Sequence, residues 1–200
     1  MDLRLPDAAP SEAEREAVDA VLGLPTSGWD GGKRSITFDG RVAHGGHEAR
    51  ERRHLLLPAL QALQAREGWI SPGGLRYVSE RLTVPPAEAY GVATFYAMFS
   101  TEARPQTVLH VCDDIACRTA GALELIDDLE HELGAERKAQ VLRSPCLGMC
   151  ERAPAALLQT AGESASDVAM GPISIGFLDP FLHGGPWTVS PGSGHPAPQD

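Results

Sequence analysis

The sequence lacks any hydrophobic run that approaches the roughly 20 residues needed to span a membrane, so direct membrane insertion is not expected. It also begins without an apolar stretch resembling a secretory signal, which predicts a cytoplasmic location. Basic residues are fewer than acidic ones. The sequence has 17 Lys and Arg and 27 Asp and Glu, which gives a formal charge of -10. An acidic surface of this kind disfavours nucleic acid as a partner and suits docking onto basic protein patches.

Cysteine is scarce as well. The chain has four, and they fall as two tight pairs, Cys112 with Cys117 and Cys146 with Cys150. In a reducing compartment, four cysteines are more often metal ligands or catalysts than disulfides. A thiol-disulfide oxidoreductase remains a hypothesis, although the C-x-x-C motif typical of thioredoxin-like dithiols is absent.

Familiar catalytic motifs are missing too. No Ser/His/Asp set stands out, and no dinucleotide-binding G-x-G-x-x-G follows a predicted strand. The chain alone is therefore not expected to be a complete enzyme.

The first half of the chain divides into a leader and a helical region. Residues 1–46 form a Gly-rich leader with a short amphipathic stretch from Ser11 to Leu22. Residues 47–100 have helical periodicity, and Gly68 is expected to end the first of three helices. These patterns predict a small three-helix bundle.

The third predicted helix, Ala87 to Phe99, carries a dense group of large apolar side chains. They are Tyr90, Phe95, Tyr96, Met98 and Phe99. Five such groups within ten residues cannot all face one small core. Part of this aromatic cluster is expected to dock on a partner subunit, and the alternative is that all five pack within the protein.

From residue 106 the periodicity changes to a strand, a helix and two further strands, which indicates a small α/β domain over residues 106–160. The predicted strands cover 107–111, 139–142 and 155–159, and the predicted helix covers 121–133. The first two strands lead towards Cys112 and Cys146. Residues 161–200 form a Gly- and Pro-rich tail with a short strand near Val168.

The two cysteine pairs suit an iron–sulfur cluster. A [2Fe-2S] cluster needs four thiolates, two for each iron, and each loop presents one pair. Gly148, between Cys146 and Cys150, can adopt a positive φ and direct backbone N–H groups at sulfur. A structural zinc site also uses four cysteines, usually with C-x2-C spacing. The spacing favours the cluster, with Cys112, Cys117, Cys146 and Cys150 as ligands, and leaves zinc open.

Charged residues of both signs flank the cysteines. Arg118 and Arg152 are expected to raise the reduction potential of a bound cluster, whereas Asp113, Asp114 and Glu151 are expected to lower it.

Four segments carry a resemblance to a known family. They are REGWISP at 66–72, GVATFYAMF at 91–99, VCDDIACRTAG at 111–121 and CLGMCERAPA at 146–155. In order and spacing they are similar to the NuoE family, the thioredoxin-like [2Fe-2S] subunits of respiratory complex I, NAD-reducing hydrogenases and NAD-dependent formate dehydrogenases.

This resemblance implies a thioredoxin-like [2Fe-2S] ferredoxin domain after the helical bundle. It also implies a flavoprotein partner that binds FMN, NAD(H) and a [4Fe-4S] cluster, and a larger iron–sulfur catalytic subunit. The expected function is electron transfer within a soluble NAD-linked oxidoreductase of the formate dehydrogenase or hydrogenase type, or within the soluble arm of complex I. A zinc-stabilised assembly module of such a complex is the alternative.

Overall fold

The computed structural model describes residues 8–25, 51–133 and 139–178, and the chain divides into two compact units, Met1–Arg104 and Pro105–Asp200. The helices of the first unit are Glu12–Leu22 (α1), Leu56–Glu67 (α2), Pro72–Leu82 (α3) and Pro86–Phe95 (α4), with a short 3-10 helix at Arg52–Leu55. The Gly-rich part of the predicted leader and most of the predicted tail lie outside the described residues.

Local sequence signals fix the junction between α2 and α3. Gly68 ends α2 in the left-handed conformation at φ 84°, where its N–H bonds to the Gln64 carbonyl. Ser71 caps α3 by accepting a hydrogen bond from the Gly74 N–H at 2.9 Å, and Pro72 occupies the first helical position. The predicted helix end at Gly68 is confirmed.

Helix α4 is shorter than the predicted Ala87–Phe99, because it ends at Phe95. Tyr96, the residue after the helix, has extended backbone angles of φ -85° and ψ 120°, and its carbonyl accepts from the Phe99 N–H at 3.0 Å. The buried Gln64 amide of α2 donates to the Met98 carbonyl and accepts from the Ser100 N–H in this segment. Met98 and Phe99 therefore lie in a turn.

The core of the first unit includes a helix from the predicted leader. Val18 of α1 is buried with Leu60 and Leu63 of α2 and with Val78 of α3. A capping box at Ser11 starts α1. In the described part of the first unit, the predicted three helices thus share their core with a fourth, and a separate three-helix bundle is not confirmed.

The second unit is a mixed helix-and-sheet structure with a four-stranded sheet, which fits the predicted thioredoxin-like domain. The strands are Thr107–Cys112 (β1), Ala139–Ser144 (β2), Ala156–Thr160 (β3) and Ser166–Met170 (β4), in the order β2-β1-β3-β4. Strand β1 is parallel to β2, and the pairs β1/β3 and β3/β4 are antiparallel. The sheet extends into the predicted tail, where β4 contains Val168.

Two helices connect β1 to β2. They are Ile115–Thr119 (α5) and Ala122–Leu133 (α6). Ile126 and Leu129 of α6 are fully buried in the core formed with Leu109 and Val111 of β1. This crossover makes β1 and β2 parallel, so that the cysteine-bearing segments at their carboxyl ends lie at the same edge of the sheet.

No helix within residues 8–25, 51–133 and 139–178 has the length and apolar character that crossing a membrane requires.

Candidate metal centre

The four cysteines lie where strands give way to loops, and the two pairs differ in exposure. Cys112 ends β1 and Cys117 lies in α5, and both side chains are 2% exposed. Cys146 follows β2 and Cys150 begins a 3-10 helix that ends at Arg152, and both thiols are exposed. One pair is thus shielded by protein while the other faces solvent.

The first cysteine loop is ordered by two polar side chains. Asp114 caps α5 through a 2.8 Å hydrogen bond from the Ile115 N–H to its carboxylate. The Arg118 guanidinium donates from Nε at 3.2 Å and from Nη2 at 3.0 Å to the carbonyl oxygen of Asp113. These contacts fix the backbone between Cys112 and Cys117 at the Asp113 carbonyl and at the Ile115 N–H.

The second cysteine loop is built around a glycine. Gly148 has φ 76°, a conformation that side chains with a Cβ rarely adopt. Its N–H lies 3.4 Å from the Cys146 sulfur, towards which it donates. The sulfurs of Cys146 and Cys150 are 3.5 Å apart. The predicted positive φ at Gly148 is confirmed.

Backbone hydrogen bonds connect both loops to the sheet. The Cys112 N–H donates to the Ala155 carbonyl at 2.9 Å, and the Asp113 N–H donates to the Ser144 carbonyl at 3.1 Å. Ser144 is the register partner of Cys112 in the parallel β1/β2 pair and precedes Cys146 by two positions. Both pairs are consequently anchored to the same end of β1 and β2.

The thiols influence one another electrostatically. Burial raises the pKa of Cys117, and a hydrogen bond with Cys112 and the nearby thiol of Cys150 add to the rise, whereas the Ala155 N–H lowers the pKa. The hydrogen bond with Cys146 raises the pKa of Cys150, and the charges of Cys146 and Cys112 act in the same direction. The pKa of Cys117 and the pKa of Cys150 are therefore each raised by a member of the other pair.

This donor set fits a binuclear iron–sulfur cluster. Thiolates supply all the protein ligands of a [2Fe-2S] centre, two to each iron. The cysteines form two pairs, and a thiol of each pair raises the pKa of a thiol in the other. A bound cation would reverse the raised pKa values, because a coordinating thiol is deprotonated outright. Within the described residues, no group of three or more His, Cys, Asp or Glu side chains is spaced to hold a single metal ion, whereas a [2Fe-2S] cluster needs only two thiolates at each iron.

Sequence reasoning missed the groups that support the ligands through the backbone. Ser144 and Ala155 bond to the cysteine loops through their main chains. Any residue type can supply a main-chain carbonyl or N–H, so no sequence signal marks these positions. The sequence identifies Arg118 only as a nearby charge, because its contact with Asp113 depends on the fold of the loop.

Comparison with known proteins gives a family match. The family model of the thioredoxin-like [2Fe-2S] ferredoxin matches residues 43–169. A subunit of NADH-quinone oxidoreductase from Pseudomonas aeruginosa is 28% identical over 131 residues, which cover 62% of this chain and 79% of that protein. Another NADH-quinone oxidoreductase subunit, from Thermus thermophilus, is 34% identical over 110 residues, which cover 52% of this chain and 61% of that protein.

A solved structure is similar as well. A chain of an NAD+-reducing [NiFe]-hydrogenase, in the H2-reduced state, superposes with a TM-score of 0.51 and 25% identity over 64% of this chain. The match covers 22% of the hydrogenase chain, so the likeness concerns one part of that larger protein.

Proposed function

The chain belongs to the thioredoxin-like [2Fe-2S] ferredoxin family, and on that premise we propose that it is an electron-transfer subunit whose one [2Fe-2S] cluster is bound by four cysteines. The ligands are Cys112, Cys117, Cys146 and Cys150. The observation that carries the proposal is the placement of the two cysteine pairs at the carboxyl ends of the parallel strands β1 and β2. The family match favours this function over the zinc-stabilised module.

The residues around the thiols suit one-electron chemistry, which the cluster supplies when bound. Cys112 and Cys117 lie in an apolar cluster with Ala122 and Ala155, which keeps solvent away from one pair. The Gly148 N–H donates towards the exposed Cys146 sulfur and stabilises negative charge there. The exposed pair, Cys146 and Cys150, provides the face through which a partner reaches the cluster.

The identities of the relatives suggest the parent complex. They are subunits of NADH-quinone oxidoreductase, and the similar structure is an NAD+-reducing hydrogenase. In such a complex a flavoprotein subunit with FMN, NAD(H) and a [4Fe-4S] cluster would carry out hydride transfer. This chain would accept or return single electrons beside it, in a cytoplasmic hydrogenase, formate dehydrogenase or complex I arm that also contains a larger iron–sulfur subunit.

Reduction of the isolated protein tests this function. Dithionite is expected to give the signal of one unpaired electron per chain in electron paramagnetic resonance, whereas NADH alone is expected to give none. NADH oxidation should appear only after the flavoprotein partner is added. Tight binding of FMN or NAD to the isolated chain, or a protein that dithionite does not reduce, would contradict the proposal.

A further inference from the structure

Arg118 is exposed, and its guanidinium contacts the backbone of the first cysteine loop. Its Nε and Nη2 atoms both donate to a single backbone oxygen, the carbonyl of Asp113, at 3.2 and 3.0 Å. We propose that Arg118 is a positioning residue that raises the reduction potential of the cluster, because these two hydrogen bonds hold its positive charge at the Cys112–Cys117 loop. This inference rests on the proposed function.

The Asp113 peptide connects the two cysteine loops. Its carbonyl accepts from Arg118, while its N–H donates to the carbonyl of Ser144, just before Cys146. Ser144 in turn donates from its buried hydroxyl to the Pro145 carbonyl at 2.9 Å. Arg118 is the side chain that completes this connection, since its guanidinium bonds directly to the Asp113 peptide.

The charge of Arg118 acts in a defined direction. Its position next to Cys117 in sequence and its hydrogen bonds to Asp113 keep the guanidinium beside the first cysteine pair. Reduction adds one negative charge to the cluster, and a nearby positive charge favours the reduced form. Arg118 is not among the ion pairs of the described residues. No carboxylate of those residues therefore lies at ion-pair distance from its guanidinium.

The fold offers a matched control on the same unit. Arg143 of β2 is exposed and lies 3.8 Å from the Asp127 carboxylate, and it belongs to a strand rather than to a cysteine loop. Arg143→Gln removes the same formal charge as Arg118→Gln. Arg118→Lys retains the charge but cannot donate two hydrogen bonds from a planar fork.

The test is a redox titration of the full-length, cluster-loaded protein and its variants, followed by electron paramagnetic resonance. At a fixed ambient potential, Arg118→Gln should lower the ratio of reduced to oxidised cluster about threefold. For a one-electron couple at 59 mV per tenfold, this is about 28 mV. Arg118→Lys should give a smaller decrease, and Arg143→Gln should match the unmodified protein. If Arg118→Gln fails to assemble the cluster, the Lys variant alone decides.

Equal shifts in Arg118→Gln and Arg143→Gln would overturn the inference, because net charge would then explain both. An unchanged potential in Arg118→Lys would also overturn it, since charge without the two-bond contact would suffice. Absence of a cluster from the unmodified protein would instead refute the proposed function.

Discussion

At the residue scale, the cysteines of the two pairs have unequal surroundings. Cys117 is buried, and the Ala155 N–H lowers the pKa of its thiol, while Cys146 is exposed and accepts a hydrogen bond from the Gly148 N–H. A ligand in the buried position is enclosed by packed side chains. A ligand in the exposed position depends mainly on the conformation of its own loop.

Replacing one ligand from each pair should therefore impair the cluster. Cys117→Ser and Cys146→Ser are each expected to lower iron and sulfide content, because a [2Fe-2S] centre needs two thiolates per iron. Binding to the flavoprotein partner should survive in part, as measured by co-purification. Ser79→Ala, a change in the other unit, serves as the control. Full cluster content in either Cys variant would exclude that cysteine as a ligand.

At the element scale, β4 supports the loop that carries Cys150. Gly171 follows β4, and a Cβ at this position would overlap the carbonyl oxygen of Arg152, the last residue of the 3-10 helix that Cys150 begins. Gly171→Ala should displace that helix and destabilise the protein by roughly 1–3 kcal/mol, which is typical of overpacking. Denaturant unfolding and the rate of iron loss to a chelator measure both effects.

The control for this prediction is Gly176→Ala, because a Cβ at Gly176 meets nothing within 4 Å. Equal stability and equal chelator resistance in the two variants would show that β4 does not support the Cys150 loop.

Helix α1 is joined to α3 by a buried ion pair. Arg81 is 2% exposed, pairs with Asp19 and donates to the Gly23 carbonyl, and the Tyr77 hydroxyl lies 2.7 Å from the Asp19 carboxylate. Asp19→Ala would leave the Arg81 charge buried without a counter-ion. Removal of one partner of a buried pair costs about 3–5 kcal/mol.

Chemical denaturation of the full chain measures this loss. The control is Glu16→Ala, which removes an exposed carboxylate from the same helix and should change stability by about 0.5 kcal/mol or less. If both variants unfold at the same denaturant concentration, the Asp19–Arg81 ion pair contributes little to the stability of the first unit.

Sequence patterns predicted most helices and strands because their signals are local. Gly68 as a left-handed cap, Ser71 as an N-cap and the strand before Cys112 are each specified within a few residues. The predicted end of α4 was wrong, because the chain turns after Phe95, and the segment after this turn forms hydrogen bonds with Gln64, more than 30 positions away. Amphipathic periodicity revealed the apolar face of α1 but not the surface that it covers.

The site was accessible to sequence reasoning only in part. Residue type and spacing identified the four cysteines and Gly148, since thiols and positive φ have distinctive chemical requirements. The Arg118 contact and the Ser144 and Ala155 hydrogen bonds involve main-chain atoms, which carry no residue-specific signal. The effect of each pair on a thiol pKa in the other emerges only from the fold.

At the scale of the whole molecule, part of the aromatic cluster is exposed. Phe95 is 79% exposed and Tyr96 is 44% exposed, and their rings make an edge-to-face contact at 5.2 Å. Tyr90 and Phe99 instead pack partly against the core of the first unit. The prediction that part of this cluster faces outward fits these exposures, and docking on the flavoprotein remains a prediction.

Phe95→Asp should weaken the affinity for the flavoprotein at least tenfold and reduce co-purification, as loss of a buried aromatic anchor does. The unfolding midpoint should change little, because the side chain is exposed. Leu24→Asp is the matched control, since Leu24 is also 79% exposed and lies outside the aromatic cluster. Unchanged partner affinity in Phe95→Asp would exclude this side chain from the interface.

The central claim is that four cysteines of this acidic protein bind one [2Fe-2S] cluster. The most direct measurement is the iron, acid-labile sulfide and zinc content of the full-length protein, produced with ample iron and purified without oxygen. We predict about two irons and two sulfides per chain, with zinc well below one equivalent. Stoichiometric zinc without sulfide under those conditions would contradict the claim.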